Sequence, residues 1–353
     1  MTIIYLRDEY ILNESRTPLV PNDIKKLVSY RFKFYIQSSN KRIYSDNEYK
    51  NIDKSIIITN EPWYSDKFKN ALIVGLKELE CLEKLNNHKH LYFSHSYKNQ
   101  YNSDLILNSF KNSNSIIYDF EYFLYENNKR IISFGFYAGI VGAILGLLQY
   151  AFKKNYNDNI SDLKFFNSEQ ELFNILIPYY DDLLNLNIGL IGFNGNCGKG
   201  VSYVLDKLNL PYQNIKRFSD IKDFDFDIFY NCILLKPDSN EVFFDENSIF
   251  KKKTVIVDIS CDCYVKNNPI KLYNECTTWK DPVYTYNDNV DIISISNLPS
   301  LLPRDSSNYF SNKCFYLLLE MKSDKHNYWA HCKKEYIKNI EKNEIEKISS
   351  YLI

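Results

Sequence analysis

The sequence predicts an α/β protein of two lobes, each with a parallel sheet, joined by one apolar helix. Three observations predict it. The chain has 353 residues, more than a single core usually organises. Two separate sets of short apolar runs alternate with amphipathic segments. Between the sets lies an uncharged stretch, Ile131 to Phe152, long enough for about six turns of helix.

In the first set, Ile3 to Leu6, Phe32 to Ile36, Ser55 to Ile58, Ala71 to Gly75, His90 to Phe93 and Ser115 to Tyr118 read as strands. Pro21 to Tyr30 has proline in a first-turn position and Ile24, Leu27 and Val28 at helical spacing, so it reads as a helix. The uncharged stretch carries Gly135, Gly139, Gly142 and Gly146 at helical spacing, which lets another backbone come close. It has basic residues at both ends, Lys129 and Arg130 before it and Lys153 and Lys154 after it, and so lacks the charge asymmetry of a membrane span. A buried helix between the lobes is the expectation, and a single span is the alternative.

After it, Asn155 to Glu171 is polar and reads as a surface excursion. Asn187 to Ile191, Ile215 to Phe218, Ile228 to Leu235, Thr254 to Ile259 and Asp291 to Ser296 form the second set of strands, with a helix over Val201 to Leu208. Tyr309 to Met321 and Tyr328 to Ile348 close the chain with helical periodicity.

Composition excludes several functions. Lys plus Arg number 43 against 44 Asp plus Glu, so the formal net charge of -1 argues against a nucleic-acid binder or a polybasic membrane-surface protein. Eight cysteines in a chain this long are too sparse for a disulfide scaffold, and reduced thiols are expected. Arg7, Asp8 and Glu9 interrupt any apolar leader, which points to a cytoplasmic protein.

The chemistry concentrates at strand ends. Ile188-Gly189-Leu190-Ile191-Gly192-Phe193-Asn194-Gly195-Asn196-Cys197-Gly198-Lys199-Gly200 runs from a buried strand through a glycine-rich turn into a helix. Residues without side chains let the backbone approach a pyrophosphate, and a helix N-terminus supplies N–H donors. Gly192, Gly195 and Gly198 are spaced one residue wider than the usual dinucleotide fingerprint between the first two, and a ligand-free strand-to-helix turn is the bland reading. Position 193 is Phe and position 200 is Gly, which breaks the NTPase phosphate-loop pattern. At the end of the next strand, Asp220 suits the ribose hydroxyls of NAD, while Lys216, Arg217 and Ser219 suit a 2′-phosphate, so NAD(H) and NADP(H) both stand.

In the first lobe, polar clusters follow apolar runs at Asn13 to Pro18, Gly75 to Glu78 and Phe93 to Gln100. Open α/β sheets bind ligands at strand C-termini, so Lys77 and His95 are expected to converge. A lysine desolvated beside another cation becomes a base, and histidine passes protons near neutrality. Taken singly, a solvated lysine and a hydrogen-bonded histidine are the plainer readings.

The pattern resembles the fungal-type, lysine-forming saccharopine dehydrogenases of the alanine dehydrogenase and transhydrogenase-like group. The resemblance is carried by Glu14-Ser15-Arg16-Thr17-Pro18-Leu19, Gly75-Leu76-Lys77-Glu78, His95-Ser96-Tyr97-Lys98-Asn99-Gln100, Tyr118-Asp119-Phe120-Glu121 and Phe134-Gly135-Phe136-Tyr137-Ala138-Gly139. It continues in Gly195-Asn196-Cys197-Gly198, Asn231-Cys232-Ile233, Val257-Asp258-Ile259-Ser260-Cys261-Asp262 and Leu298-Pro299-Ser300-Leu301-Leu302-Pro303-Arg304.

The resemblance implies two Rossmann-like lobes with a substrate and cofactor cleft between them. Residues 1–133 and 308–353 would form the substrate-binding and catalytic lobe, and 134–307 the dinucleotide-binding lobe. It implies an NAD(P)-dependent oxidation of the secondary C–N bond of saccharopine or a similar opine-type conjugate, with an amino acid and a 2-oxo acid as partners. A basic amino acid other than lysine, or an alanine dehydrogenase-like deamination, are the alternatives. A non-catalytic nucleotide-binding protein is a further one. Lys77 would be the general base and His95 the acid-base group. Arg16, Gln100, Arg130 and Phe134 match substrate-holding positions, and Ser260, Cys261 and Asp262 lie where substrate and nicotinamide meet. Arginines suit carboxylates through paired hydrogen bonds, so Arg16, Lys77, His95 and Arg130 are expected to concentrate positive charge for a polycarboxylate.

Gly192, Gly195, Asn196, Gly198 and Ile259 match the cofactor side, together with Lys129, Ser219, Asp220, Leu234, Ile295, Ser296, Asn297 and Leu298. Here the sequence departs from the family: Ser219 stands for a ribose-binding Asp, Leu234 for a Tyr, Lys129 for an Arg, and Ser296-Asn297 for an Asp-His pair. Cys197 and Cys232 match a family pair close enough to oxidise. Cys261-x-Cys263 with Cys276 lacks a second ligand set, so no metal is expected. Neither nucleic acid nor membrane is an expected partner, and a monomer is the expected state.

Overall fold

A computed structural model describes the chain except residues 12, 98–101, 222–223, 236–238, 262–267 and 352–353, and except the side chains of 220 and 344–351. It divides into two compact units: Met1–Ser133 with Arg304–Ile353, and Phe134–Pro303.

The first unit holds six strands: β1 (Thr2–Leu6), β2 (Phe32–Gln37), β3 (Ile57–Thr59), β4 (Leu72–Val74), β5 (Lys89–Tyr92) and β6 (Ile116–Asp119). All pair in parallel, in the order β3-β2-β1-β4-β5-β6. The order reverses between β1 and β4, and at such a switch point neighbouring strands send their connections to opposite faces and leave a crevice at their C-termini. Helices Pro21–Ser29, Ser103–Asn112, Pro303–Ser323 and Tyr328–Tyr351 belong to this unit's stretches of chain. The aromatic share of the sequence shows in its core, where Tyr5, Phe68, Tyr92 and Phe110 pack together with Ile73 and Ile117.

The second unit carries β7 (Ile188–Ile191), β8 (Gln213–Ile215), β9 (Ile228–Asn231), β10 (Thr254–Asp258), β11 (Tyr284–Asn287) and β12 (Val290–Ile293), in the order β11-β12-β10-β9-β7-β8. Five are parallel, and β11 is an antiparallel edge. β11 escapes the sequence reading because its side chains are mostly exposed, so it presents no apolar run. β8 lies earlier than expected. The chain leaves the sheet after Ile215 because Phe218 turns inward to stack on Phe243, with ring centroids 4.7 Å apart, beside Phe229 and Phe244. β9 stops at Asn231, not Leu235. The Asn231 carboxamide accepts the Ile233 N–H at 3.1 Å, a local bond that competes with the ladder.

The uncharged stretch is the helix Gly135–Tyr156, and it opens the second unit as a core element. By length and composition it could cross a bilayer, but most of its apolar window is buried inside this unit. Its glycine stripe has a specific use. A Cβ on Gly139 would lie 2.0 Å from the Cys197 carbonyl oxygen, and one on Gly146 2.7 Å from Val257. The helix therefore seats against the helix Asn196–Lys207 and against β10 at backbone distance.

Candidate active site

In the first unit, β1 runs on past Leu6 through Arg7 to Glu9, and β4 runs on past Val74 to Lys77. The Glu9 carboxylate joins the two extensions, accepting the Leu76 N–H at 2.7 Å and the Lys77 N–H at 2.9 Å. Arg7 pairs with Glu9 at 3.3 Å and donates to the Lys77 carbonyl. A Cβ on residue 75 would fall 2.1 Å from Arg7 Nε, which is why the motif before Lys77 begins with glycine. The backbone of Lys77 is thus held on both sides.

β5 continues beside β4. The Phe93 N–H donates to the Leu76 carbonyl at 3.1 Å, so Lys77 and His95 lie one and two residues beyond a shared bond. His95 is half-buried, has a left-handed backbone with φ of 50°, and its ring stacks on Phe93. The Lys77 amine is pulled down from its ordinary proton affinity by burial first and by the Arg16 charge second, with Glu14, Glu78 and Glu9 opposing. A lysine depressed in this way gives up and takes a proton more readily than a solvated one, which suits it to act as a base.

The two expected substrate arginines are already paired. Arg16 is buried and donates through Nε and Nη2 to both oxygens of Glu14, at 2.8 and 2.6 Å. Burial raises the Glu14 carboxyl, but the Arg16 charge and hydrogen bonds hold it net below the ordinary range. Arg130 pairs with Glu121 at 2.9 Å. This corrects the expectation of concentrated positive charge: each guanidinium comes with a carboxylate, and the region is a set of ion pairs. Lys129 sits on an exposed turn whose N–H bonds Asn127. Gln100 lies outside the described residues.

In the second unit, the order reverses between β7 and β9, and the glycine-rich turn sits there. Gly192 has φ of +85°, and a Cβ on it would lie 2.7 Å from the Cys232 backbone. A Cβ on Gly198 would lie 2.4 Å from the Gly192 carbonyl oxygen. The helix begins at Asn196, so Gly198 and Gly200 stand within it and not before it. Gly195 and Asn196 are exposed at its N-terminus. The backbone N–H groups of this turn and helix start, with no Cβ at Gly192, Gly195 and Gly198, fit the pyrophosphate of a nicotinamide dinucleotide.

The neighbouring strand ends are tied by one buried carboxylate. Asp258 accepts from Asn231 Nδ2 at 2.9 Å and from Tyr273 Oη at 2.6 Å, and burial raises its proton affinity to about 6 against these bonds. The Ile259 and Ser260 N–H groups donate to the Asn231 carbonyl, which brings Ser260 and Cys261 to the ends of β9 and β10. Ile259 is buried, and its side chain fills the space above Gly142. Ile295 and Leu298 are buried too, whereas Leu234, Ser219 and Ser296 are exposed. Asn297 accepts from Trp279 Nε1 at 3.2 Å, and Phe134 caps the start of the long helix. Asp262 and the Asp220 side chain lie outside the described residues. Cys197 and Cys232 are not in disulfides, and burial pushes the Cys232 thiol well up. Cys276 is disulfide-bonded, which corrects the expectation of reduced thiols throughout.

Sequence reasoning missed Arg7 and Glu9, which it used only to exclude a leader, and gave no role to Asp258 or Tyr273. The available signal was a charged residue directly after a buried apolar run, at Leu6-Arg7 and Val257-Asp258. A cavity of about 330 Å³ also opens at the other end of the second sheet, between Lys153, Lys252 and Thr254. Lys153 and Lys252 there already pair with Asp291 and Asp227, and ligands of such sheets gather at the C-terminal ends.

Comparison with known proteins finds relatives over most of the chain. Residues 5–141 match the alanine dehydrogenase/PNT N-terminal domain, and residues 245–342 match its C-terminal domain. The chain is 33% identical to a Candida glabrata saccharopine dehydrogenase (NAD(+), L-lysine-forming), across 88% of this chain and 89% of that protein. A Candida albicans protein of the same name is 31% identical, across 96% and 97%. Among solved structures, an L-alanine dehydrogenase superposes with a TM-score of 0.69 at 12% identity, covering 96% of this chain and 94% of that one, so the two share a fold.

Proposed function

The chain belongs to the saccharopine dehydrogenase family, and from that premise we propose that it oxidises the secondary amine of saccharopine with a nicotinamide cofactor. The balanced reaction is saccharopine + NAD⁺ + H₂O → lysine + 2-oxoglutarate + NADH + H⁺, or its reverse. The observation that carries the reading is Lys77, a lysine with lowered proton affinity held by Glu9 and Arg7 beside the segment that leads from β5 to His95.

The bound nicotinamide supplies the hydride acceptor. Gly192, Gly195, Asn196 and Gly198 would hold its pyrophosphate. The neutral amine of Lys77 takes the proton from the substrate's secondary amine as the C–H bond at the glutarate carbon breaks. Water then adds to that carbon of the imine, with His95 taking one proton from the water and passing it to the nitrogen to give the carbinolamine. The carbinolamine hydroxyl proton then passes through His95 to the same nitrogen as the C–N bond breaks, leaving the keto group and the lysine amine. Arg16 and Arg130 orient the substrate carboxylates from within their ion pairs, so Glu14 and Glu121 set how far each guanidinium leans toward substrate.

NAD is the proposed cofactor, by analogy with the two relatives above, and the exposed Lys216, Arg217 and Ser219 keep NADP as the comparison. The test is the initial rate of reduced-cofactor formation from saccharopine with NAD and with NADP. Saccharopine-dependent NADH formation supports the proposal. Turnover only with pyruvate and ammonia would move the chain to deamination, and turnover only with ornithine or another oxo acid would keep the reaction class and change the substrate.

A further inference from the structure

His95 occupies a left-handed backbone conformation, φ 50°, that a residue with a side chain holds only when its surroundings impose it. The surroundings are specific. Ser94 donates both its N–H and its hydroxyl to one oxygen of Asp119, at 3.0 and 2.5 Å. Ser94 Oγ lies 2.7 Å from Ser96 Oγ, so the residues on either side of His95 are tied to each other and, through Ser94, to this carboxylate. The other oxygen of Asp119 accepts the Glu121 N–H at 2.8 Å.

Asp119 ends β6 directly beside Tyr92 of β5, and Asp119, Ser94 and Ser96 are all buried. All its bonded partners are neutral. We propose that Asp119, acting through Ser94 and Ser96, is the positioning residue that fixes the His95 imidazole for proton transfer. This rests on the role given to His95 above.

The carboxylate is suited to this task in a way its amide is not. Both oxygens receive donors, two on one side and one on the other. An asparagine would set its NH₂ against a donor whichever way it turned. Burial raises the Asp119 carboxyl to about 6, opposed by the bonds from Ser94 and Glu121. The ionisable groups facing it are Glu121 on the following turn, Tyr92 and Tyr97 on and after β5, and Cys332 on the helix Tyr328–Tyr351. Among the described residues, none is a cation that pairs with this carboxylate.

The experiment is a double-mutant cycle on the amine substrate that the unmodified chain turns over, with thermal unfolding recorded for each variant. Asp119→Asn is expected to lower kcat by about 10- to 100-fold with KM within about threefold, a part of the about 10²- to 10⁴-fold that acid-base catalysis contributes. Ser94→Ala is expected to lose about tenfold, and Ser94→Thr, which keeps the hydroxyl, to restore most of it. Combined with His95→Gln, Asp119→Asn is expected to cost nothing further, because its effect passes through the imidazole.

Independent, multiplying losses in the double variant would overturn the proposal, as would a folded Asp119→Asn with unchanged kcat. Where Asp119→Asn fails to fold, the cycle between Ser94→Ala and His95→Gln decides by the same criteria. Unchanged turnover in His95→Gln alone would defeat the role of His95 itself, an outcome distinct from the failure of Asp119.

Discussion

The two units answer the same topological opportunity in different materials. Each sheet reverses its order once, and each carries its candidate site at the strand ends beside that reversal. In the first unit the site is built from charged side chains: Arg7 and Glu9 hold the backbone of Lys77, Glu14 holds Arg16, and Asp119 holds the segment around His95. In the second unit it is built from backbone, with Gly192 and Gly198 keeping a turn clear of side chains and one carboxylate, Asp258, tying the ends together. Substitution in the first unit should therefore change chemistry while the fold survives. In the second it should change fit, and be read in stability and cofactor affinity.

The largest expected effect is on the charged side. Lys77→Met and His95→Gln should each lower turnover by about 10²-fold or more if they carry proton transfer. Lys77→Met should do so without lowering the melting temperature. A lysine whose proton affinity is depressed in the fold binds fewer protons folded than unfolded, so at neutral pH it subtracts from stability, and its removal returns that loss. A large drop in melting temperature would contradict the sign.

Next come the glycines. Gly139→Ala places a methyl 2.0 Å from a backbone oxygen, and Gly198→Ala places one 2.4 Å from another. Backbone cannot swing aside, so each should destabilise by about 1–3 kcal/mol in denaturant unfolding. They should separate in a binding titration. Gly198→Ala should weaken NAD by about tenfold because overpacking displaces the cradle itself, and Gly139→Ala should weaken it less.

The smallest effect is electrostatic. Asp258 binds protons more readily folded, at about 6, than an unfolded aspartate. Between those two values the folded state holds more protons, so its contribution to stability grows as pH falls from 7 to 5. The unmodified protein should gain about 1 kcal/mol relative to Asp258→Asn over that range. A loss on acidification relative to the variant would reverse the assignment.

The same contrast decides what could be read from sequence. Buried parallel strands announce themselves as apolar runs, so β1 and β7 were legible to within a residue at each end. The exposed edge strand β11 was not, and neither was the early end of β8, which depends on where Phe218 finds its ring partners. In the site, Lys77, His95 and the glycine turn were legible because their residue types carry the chemistry. The carboxylates that hold them, Glu9, Asp119 and Asp258, needed the fold. Their partners lie 67, 25 and 27 residues away in sequence, and only strand pairing brings them together.

The central claim, that the charged strand ends of the first unit serve cleavage of a secondary amine, is tested most directly by product analysis. The purified protein is incubated with saccharopine and NAD, and lysine, 2-oxoglutarate and NADH are quantified against time, with Lys77→Met alongside. The three products are expected in equal amounts from the unmodified protein, and about 10²-fold less from the variant. Absence of lysine from the unmodified protein, or equal yields from the two, would contradict it.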